Sequence, residues 1–312
     1  MTYYLIYLSI AFFLTYSTVY PIKRIAKNYQ IVSRKDTIRG REIPYFGGVA
    51  VYLGFILSLI LFFYIEFPDQ EIKISLGNPK FLGILLGAIL VTFCGLIHDV
   101  YPFSVLLRIV IHILAACVLI VNSISIDHEF LRFLPFSMGE GTFYLGNIFL
   151  SICWVVFIIN ALDSLDQIDG LFTNILIVIS SVLFLFSVVG DQYENALVLA
   201  VVIGCLLGVF IDQVKPSKIL LGKAGTYFLG FVIAATSMDL TFSSNAIVSF
   251  VVPVAILAVP IVYFVMSLFV DKKNSILFFI NQGISEEKQI FYTLTVTCVL
   301  SVISFAVAHY AG

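Results

Sequence analysis

Three aspartates stand at intervals of three residues in the chain: Asp163, Asp166 and Asp169. If their segment is helical, they share one face, where like charges repel and require a compensating cation. A further acid, Asp99, follows His98 at the end of an earlier apolar run. A cluster of carboxylates beside apolar segments is suited to hard cations and to phosphate-bearing substrates. The residue types are therefore compatible with a site for a hard cation and a phosphate-bearing substrate.

Each polar segment also has a simpler interpretation. Loop aspartates and lysines are usually solvated, and glycines near helix ends are often caps or packing sites. One segment alone therefore decides little. The chain has four polar segments, and they can form one site only if the structural elements between them bring them together. These segments are 95–108, 160–171, 221–230 and 271–289.

The composition determines what those elements are. Of the 312 residues, 61% are hydrophobic and 12% are charged, whereas soluble domains carry about 25% charged residues. The apolar runs are long enough to cross a hydrocarbon core of roughly 30 Å as helices. They lack the alternation of a membrane barrel. The sequence therefore predicts an all-α integral membrane protein.

The apolar runs predict about ten transmembrane helices in a single polytopic domain covering 1–312. The predicted spans are 2–22, 46–66, 80–98, 104–126, 146–163, 168–189, 194–213, 219–238, 245–270 and 290–310. The positive-inside rule sets their direction. With the loop between the first two spans in the cytoplasm, all but three of the 17 lysine and arginine residues fall inside, the exceptions being Lys73, Lys80 and Arg132. Both termini are then extracytoplasmic, and all four polar segments are cytoplasmic.

Taken in order, the polar segments resemble the motifs of the polyprenyl-phosphate N-acetylhexosamine-1-phosphate transferases. This superfamily includes undecaprenyl-phosphate GlcNAc-1-phosphate transferase and phospho-N-acetylmuramoyl-pentapeptide transferase. The similar stretches are 43–48 (Pro-Arg-x-Gly-Gly), 98–108 (paired aspartates and a downstream lysine), 160–171 (Asn-Ala-x-Asn-x-x-Asp-Gly-x-Asp-Gly-Leu), 222–226 (Gly-Asp-x-Gly-Ser) and 271–285 (the frame of a His-x-His-His loop). The resemblance covers nearly the whole chain in order and spacing.

The resemblance implies a reaction in cell-envelope glycan synthesis. A UDP-N-acetylhexosamine gives its sugar 1-phosphate to a polyprenyl phosphate and releases UMP, with Mg²⁺ required to neutralise the pyrophosphate. It implies a multi-pass protein of the bacterial inner membrane. The expected partners are polyprenyl phosphate, the lipid bilayer, a nucleotide sugar and another glycan-assembly membrane protein, and no nucleic acid is expected.

The resemblance also implies roles for individual residues. The catalytic candidates are Asp99, Asp166, Asp169, His98 and Asp163. The substrate-binding candidates are Arg108, Asn160, Lys223, Gly225, Thr226 and Asn274. Any magnesium ion would be held by Asp99, Asp166 and Asp169.

The chain departs from the family pattern at several of these positions. His98 replaces the first of the paired aspartates, and Asp163 replaces an asparagine. Lys223 stands where the family has an aspartate that binds magnesium, and the three histidines of the last loop are Asn274, Ile276 and Leu277. An ammonium group is only a donor and cannot ligate a metal. We therefore expect a dismantled metal site in which Lys223 takes the cation position beside Asp99, Asp166 and Asp169.

Three functions are compatible with these observations. The favoured one is a pseudoenzyme-like family member with impaired or lost transferase activity. The alternative is an active transferase with an altered donor or altered metal use, in which His98, Asp163 and Lys223 serve the new chemistry. A membrane transporter is the third, although no inverted repeat is visible. His112, in the middle of the fourth span, aligns with a family glutamine and is interpreted as a packing or hydrogen-bonding residue.

Overall fold

The computed structural model describes residues 2–33, 43–64, 77–126, 140–166, 170–214, 217–240, 242, 246–269 and 286–311. These residues are mostly helical. Their helices are α1 (Thr2–Asn28), α2 (Gly47–Tyr64), α3 (Pro79–Val100), α4 (Val105–Val121), α5 (Glu140–Asp163), α6 (Leu171–Val189), α7 (Tyr193–Gln213), α8 (Gly222–Asp239), α9 (Ala246–Ile256), α10 (Ala258–Phe269) and α11 (Glu286–Ala311). Strands β1 (Val32–Ser33) and β2 (Ile43–Pro44) pair antiparallel.

Each of the ten predicted spans corresponds to helical structure, and the ninth is broken. Helices α9 and α10 meet at a bend of 68°. Pro260, in the first turn of α10, has no backbone N–H to donate to the carbonyl of Ile256, so a continuous helix would lose a bond there. The hydropathy of 245–270 did not show this bend because both halves are apolar, and the signal in the sequence was Pro260 itself.

The helices make the chain a multi-span membrane protein. Among the described residues, seven helices are long and apolar enough to cross a membrane, or eight if the bent pair is one span. Helix α4 is apolar but shorter. The count of ten spans and the extracytoplasmic termini stay predictions. Lys73 and Arg132, which contributed to the predicted orientation, lie outside the described residues.

The short strand pair was not predicted, and it helps to position α8. Its second strand continues into a backbone contact with the segment before α8: Leu220 N donates to Pro44 O at 2.9 Å. Gly47 N then donates to Leu220 O at 2.9 Å, and Gly48 N donates to Leu221 O at 2.8 Å. The start of α2 and the start of α8 are therefore joined through their backbones.

Helix α8 lies at the centre of the bundle, and its side chains are almost all buried. Helices α2 and α3 approach its first turn so closely that only glycine fits. A Cβ on Gly48 would lie 2.0 Å from Gly225 N, and a Cβ on Gly95 would lie 2.5 Å from Lys223 O. These contacts fix the backbone that carries Lys223.

Replacing Gly48 by alanine is expected to destabilise the protein by about 1–3 kcal/mol, because the added methyl group meets the rigid backbone of Gly225. The thermal denaturation midpoint of the detergent-solubilised protein measures the effect. Gly141→Ala is the matched control, since a Cβ there meets no other atom within 4 Å. Equal midpoints for the two variants would show that α2 and α8 do not pack this closely.

The two ends of the bundle carry different sets of polar contacts. At one end, Lys80 Nζ lies 2.7 Å from Asp239 Oδ1, and Asn195 Nδ2 donates to Asp239 Oδ2 at 2.9 Å. These contacts join the beginnings of α3 and α7 to the end of α8. The opposite end collects the end of α3, the end of α5 and the beginning of α8.

Candidate functional site

The side chain of Asp99 caps the first turn of α8. Its Oδ1 accepts a hydrogen bond from Lys223 N at 2.7 Å, and its Oδ2 accepts one from Ala224 N at 3.1 Å. The first N–H groups of a helix have no partner within the helix and carry partial positive charge, which a carboxylate satisfies. Gly222, with φ of 70°, makes room, because a Cβ there would lie 2.6 Å from Asp99 Oδ2. Both oxygens of Asp99 are thus engaged with backbone.

The side chain of Asp163 binds the ammonium group of Lys223. Asp163 Oδ1 lies 2.5 Å from Lys223 Nζ and accepts a second hydrogen bond from Thr226 Oγ1 at 2.7 Å. Lys223 and Thr226 are three residues apart and share a face of α8. The side chain of Asp163 is 7% exposed and that of Lys223 is 28% exposed. The arrangement is a mostly buried, charge-assisted ion pair between α5 and α8.

The condition for a shared helical face is not met between Asp163 and Asp166, because α5 ends at Asp163. The hydroxyl of Ser164 bonds to Ala161 O at 2.6 Å, and residues 164–166 form a turn. Gly170, which has φ of 74°, precedes α6. Asp166 lies in the turn and acts electrostatically on Lys223. Asp169 and Asn274 lie outside the described residues.

Lys223 is therefore bound differently from the expectation. The interpretation placed its ammonium group beside Asp99, Asp166 and Asp169. The ammonium group is hydrogen-bonded to Asp163, which the interpretation did not name for this contact, and Asp99 accepts hydrogen bonds from the backbone N–H groups of Lys223 and Ala224. Asp166 acts electrostatically on Lys223, in agreement with the expectation, and Asp169 lies outside the described residues. The contact depends on where α5 ends, which the sequence did not specify.

Tyr227 is a central residue that the sequence interpretation missed. Its hydroxyl accepts a hydrogen bond from Arg108 Nη1 at 3.3 Å. The ring of His98 lies parallel to the Tyr227 ring at 6.4 Å, and the ring of His112 meets it edge-on at 4.9 Å. The signal available in the sequence was its position directly after the 222–226 motif. Tyr227 connects the start of α4 and the end of α3 to α8.

The remaining predicted residues have structural partners. His98 Nδ1 accepts a bond from Phe103 N at 3.3 Å. Asn160 Nδ2 donates to Val156 O at 2.7 Å, and Gly225 is the residue that Gly48 touches. Of the candidates within the described chain, Asp99, Asp163, Lys223 and Thr226 form one connected group, and Arg108 and His98 adjoin it through Tyr227.

The described residues do not fit a magnesium site. Magnesium needs oxygen ligands in near-octahedral geometry. Both oxygens of Asp99 accept backbone N–H groups, and Asp163 Oδ1 accepts an ammonium and a hydroxyl donor. Lys223 has no lone pair to offer while it is charged. In the part of the chain that the structure describes, no three His, Cys, Asp or Glu side chains are grouped to hold a metal.

Sequence comparison identifies the class of protein. The family model described as "Glycosyl transferase family 4" matches residues 81–241, which include α3 to α8. The chain therefore belongs to glycosyl transferase family 4, and the resemblance inferred from the motifs is confirmed.

Individual relatives are similar over much of the chain. It is 26% identical over 254 residues to the "probable undecaprenyl-phosphate N-acetylglucosaminyl 1-phosphate transferase" of Bacillus subtilis, covering 80% of this chain and 66% of the relative. It is 26% identical over 237 residues to the "decaprenyl-phosphate N-acetylglucosaminephosphotransferase" of Mycobacterium tuberculosis, covering 72% of this chain and 57% of the relative. A shorter match, 38% identical over 106 residues, covers 34% of this chain and 30% of a Streptococcus pyogenes "phospho-N-acetylmuramoyl-pentapeptide-transferase". The chain thus spans less than two thirds of the length of these relatives.

Proposed function

We propose that this chain binds a polyprenyl phosphate within the family scaffold and that its Mg²⁺-dependent transfer of a sugar 1-phosphate from a UDP-N-acetylhexosamine is impaired or lost. The proposal depends on one observation, the ion pair between Lys223 and Asp163. The names of the Bacillus and Mycobacterium relatives support the lipid phosphate and the N-acetylglucosaminyl donor.

The ion pair opposes a divalent cation for an electrostatic reason. A metal near Asp163 would approach the ammonium group of Lys223, and two unit charges 4 Å apart interact by about 4 kcal/mol at an effective dielectric constant of 20. For a divalent ion the repulsion is about twice that value. Moving Lys223 away relieves the repulsion only by breaking a mostly buried pair, which also costs free energy.

Loss of the metal removes the charge that phosphoryl transfer needs. A divalent cation neutralises the developing negative charge on the leaving phosphate in the transition state. The Lys223–Asp163 pair has no net charge, so it supplies little of that neutralisation. Binding a lipid phosphate is less demanding, because a half-buried cation such as Arg108 attracts a phosphate in the ground state.

The proposal includes an orientation in the membrane. Ten spans with both termini outside would place the Lys223 end of the bundle at the cytoplasmic face of the bacterial inner membrane. The distribution of lysine and arginine supports this orientation. A nucleotide sugar would reach the site from the cytoplasm, and another glycan-assembly membrane protein would be the partner of a family member that does not itself catalyse the transfer.

A transferase assay tests the proposed function. Membranes containing the protein receive UDP-N-acetylglucosamine, undecaprenyl phosphate and Mg²⁺, and release of UMP is measured per molecule of protein. The Bacillus subtilis relative is assayed in parallel. We expect turnover at least about 100-fold below that of the relative, the size of effect seen when one charge-stabilising group is lost from an active site. Turnover within tenfold of the relative would contradict the proposal.

One observation favours the alternative of an active transferase with altered metal use. The side chain of Lys223 is 28% exposed, and a lysine binds phosphate as a point charge. The same assay distinguishes this alternative when it is repeated in EDTA. UMP release that persists in EDTA and disappears in Asp166→Asn would favour the metal-independent transferase.

A further inference from the structure

His112 is a fully buried residue in the layer directly below the ion pair. It lies on α4, and its ring touches Tyr227 of α8. Its Nε2 atom is buried and has no hydrogen-bond partner in the described part of the chain. A buried polar atom without a partner costs about 1–3 kcal/mol, so such an atom calls for an explanation.

The contact with Asn160 determines which ring nitrogen of His112 carries the proton. Asn160 Nδ2 donates to Val156 O at 2.7 Å, which fixes the NH₂ end of the amide. The same Nδ2 lies 3.5 Å from His112 Nδ1. An amide NH₂ only donates, so we assign the acceptor role to Nδ1 and the ring proton to Nε2. The buried atom without a partner is therefore an N–H donor.

A second unpartnered donor lies on the same face of α4. Arg108 precedes His112 by four residues, and this spacing places both side chains on one face. Arg108 Nε is buried and has no hydrogen-bond partner among the described residues, although Nη1 of the same guanidinium donates to Tyr227 Oη at 3.3 Å. Two donors, one of them charged, thus flank the same tyrosine.

The ligand that satisfies both donors must supply acceptor oxygens and negative charge. The described charged groups nearby are the cations Arg108 and Lys223 and the acids Asp99, Asp163 and Asp166. A phosphate entering this site needs donors that are not already paired, and among the described residues His112 Nε2 and Arg108 Nε have this property. A neutral N–H adds binding without adding a charge that must be desolvated.

We infer that His112 is a ligand-binding residue, whose Nε2–H, together with Arg108 Nε, donates hydrogen bonds to the oxygens of a bound phosphate group. The inference rests on the proposed function for the class of ligand and adds a residue to that site. The phosphate comes either from the polyprenyl phosphate or from a nucleotide, and both have the same acceptor chemistry.

Ligand binding to variants in lipid nanodiscs tests the inference. The probes are undecaprenyl phosphate and UMP, and the dissociation constants are measured without added metal. His112→Phe keeps an aromatic ring and removes both nitrogens, whereas His112→Gln keeps an N–H donor. Ser180→Ala is the matched control, because Ser180 Oγ is also buried with no hydrogen-bond partner among the described residues but lies on α6. Thermal denaturation midpoints are recorded for all variants.

We expect His112→Phe to weaken binding of one phosphate ligand by about tenfold or more, as loss of a hydrogen bond to a charged group does. His112→Gln should remain within about threefold of the wild-type protein, and Ser180→Ala should bind unchanged. Weakening confined to undecaprenyl phosphate identifies the lipid as the source of the phosphate, and weakening confined to UMP identifies the nucleotide.

Unchanged binding in His112→Phe would overturn the inference and leave His112 as a residue that packs or binds water. Equal losses in His112→Phe and His112→Gln would overturn it too, because ring shape and not the N–H donor would then matter. The inference would also be overturned if the wild-type protein bound neither undecaprenyl phosphate nor UMP. Normal turnover in the transferase assay would defeat the proposed impairment and leave this binding result intact.

Discussion

A double variant with Lys223→Asp and Asp163→Asn is expected to raise the affinity for Mn²⁺ by about 100-fold or more. The exchange replaces an ammonium group by a carboxylate beside Asp166. At an effective dielectric constant near 20, one unit charge at 4 Å contributes about 4 kcal/mol, and 1.4 kcal/mol is a tenfold change in affinity. Titration of the detergent-solubilised protein with Mn²⁺, followed by electron paramagnetic resonance, measures the binding.

The matched control exchanges another ion pair on the same end of the bundle. Lys218 Nζ lies 3.5 Å from Asp212 Oδ1, and the lysine side chain is 60% exposed. Lys218→Asp with Asp212→Asn makes the same change in charge at a solvated position, where screening weakens its effect. If both double variants bind Mn²⁺ with equal affinity, the position of Lys223 does not determine metal binding.

Removing Asp163 alone is expected to lower the free energy of unfolding by about 2–3 kcal/mol. Asp163→Ala leaves the ammonium group of Lys223 and the hydroxyl of Thr226 without their shared acceptor. Breaking one side of a buried pair costs about 3–5 kcal/mol, and the partial exposure of Lys223 reduces that value. The thermal denaturation midpoint measures the loss.

Two further variants test whether the loss of stability in Asp163→Ala comes from the broken ion pair. The double variant Asp163→Asn with Lys223→Gln replaces the charges by amides and should recover most of the lost stability, since neither charge is then unpaired. Asp212→Ala removes the acid from the exposed pair and should cost under about 1 kcal/mol. An Asp163→Ala variant that is as stable as Asp212→Ala would show that the Lys223–Asp163 pair does not form.

The transmembrane helices were largely predictable from the sequence. Long apolar runs bounded by polar segments located every helix among the described residues, because burial of backbone in lipid leaves few alternatives. The bend between α9 and α10 escaped prediction, since Pro260 lies inside a run that is apolar on both sides. The β1–β2 pair escaped prediction because two-residue strands are too short to leave a pattern.

The site was predictable as a set of residues and not as a set of contacts. The motifs predicted that Asp99, Asp163, Lys223 and Thr226 belong to one site. The structure connects these four residues by hydrogen bonds. The sequence did not show which acid binds the ammonium group. Which acid binds the ammonium group depends on the residue at which α5 ends and on the close packing of α8 against Gly48. Both are determined by the packing of the helices.

The ion pair connects two departures from the family pattern. Asp163 replaces an asparagine, and Lys223 replaces an acid, so each replacement alone would leave an unbalanced charge in a mostly buried place. Together they form a neutral pair with a hydrogen bond of 2.5 Å.

A crystal structure of the protein grown with Mn²⁺ and recorded at a wavelength that gives anomalous scattering from manganese tests the central claim most directly. The account predicts Lys223 Nζ within hydrogen-bonding distance of Asp163 and no anomalous peak between Asp163 and Asp166. An anomalous peak bound by these carboxylates, with the side chain of Lys223 turned away from Asp163, would contradict it.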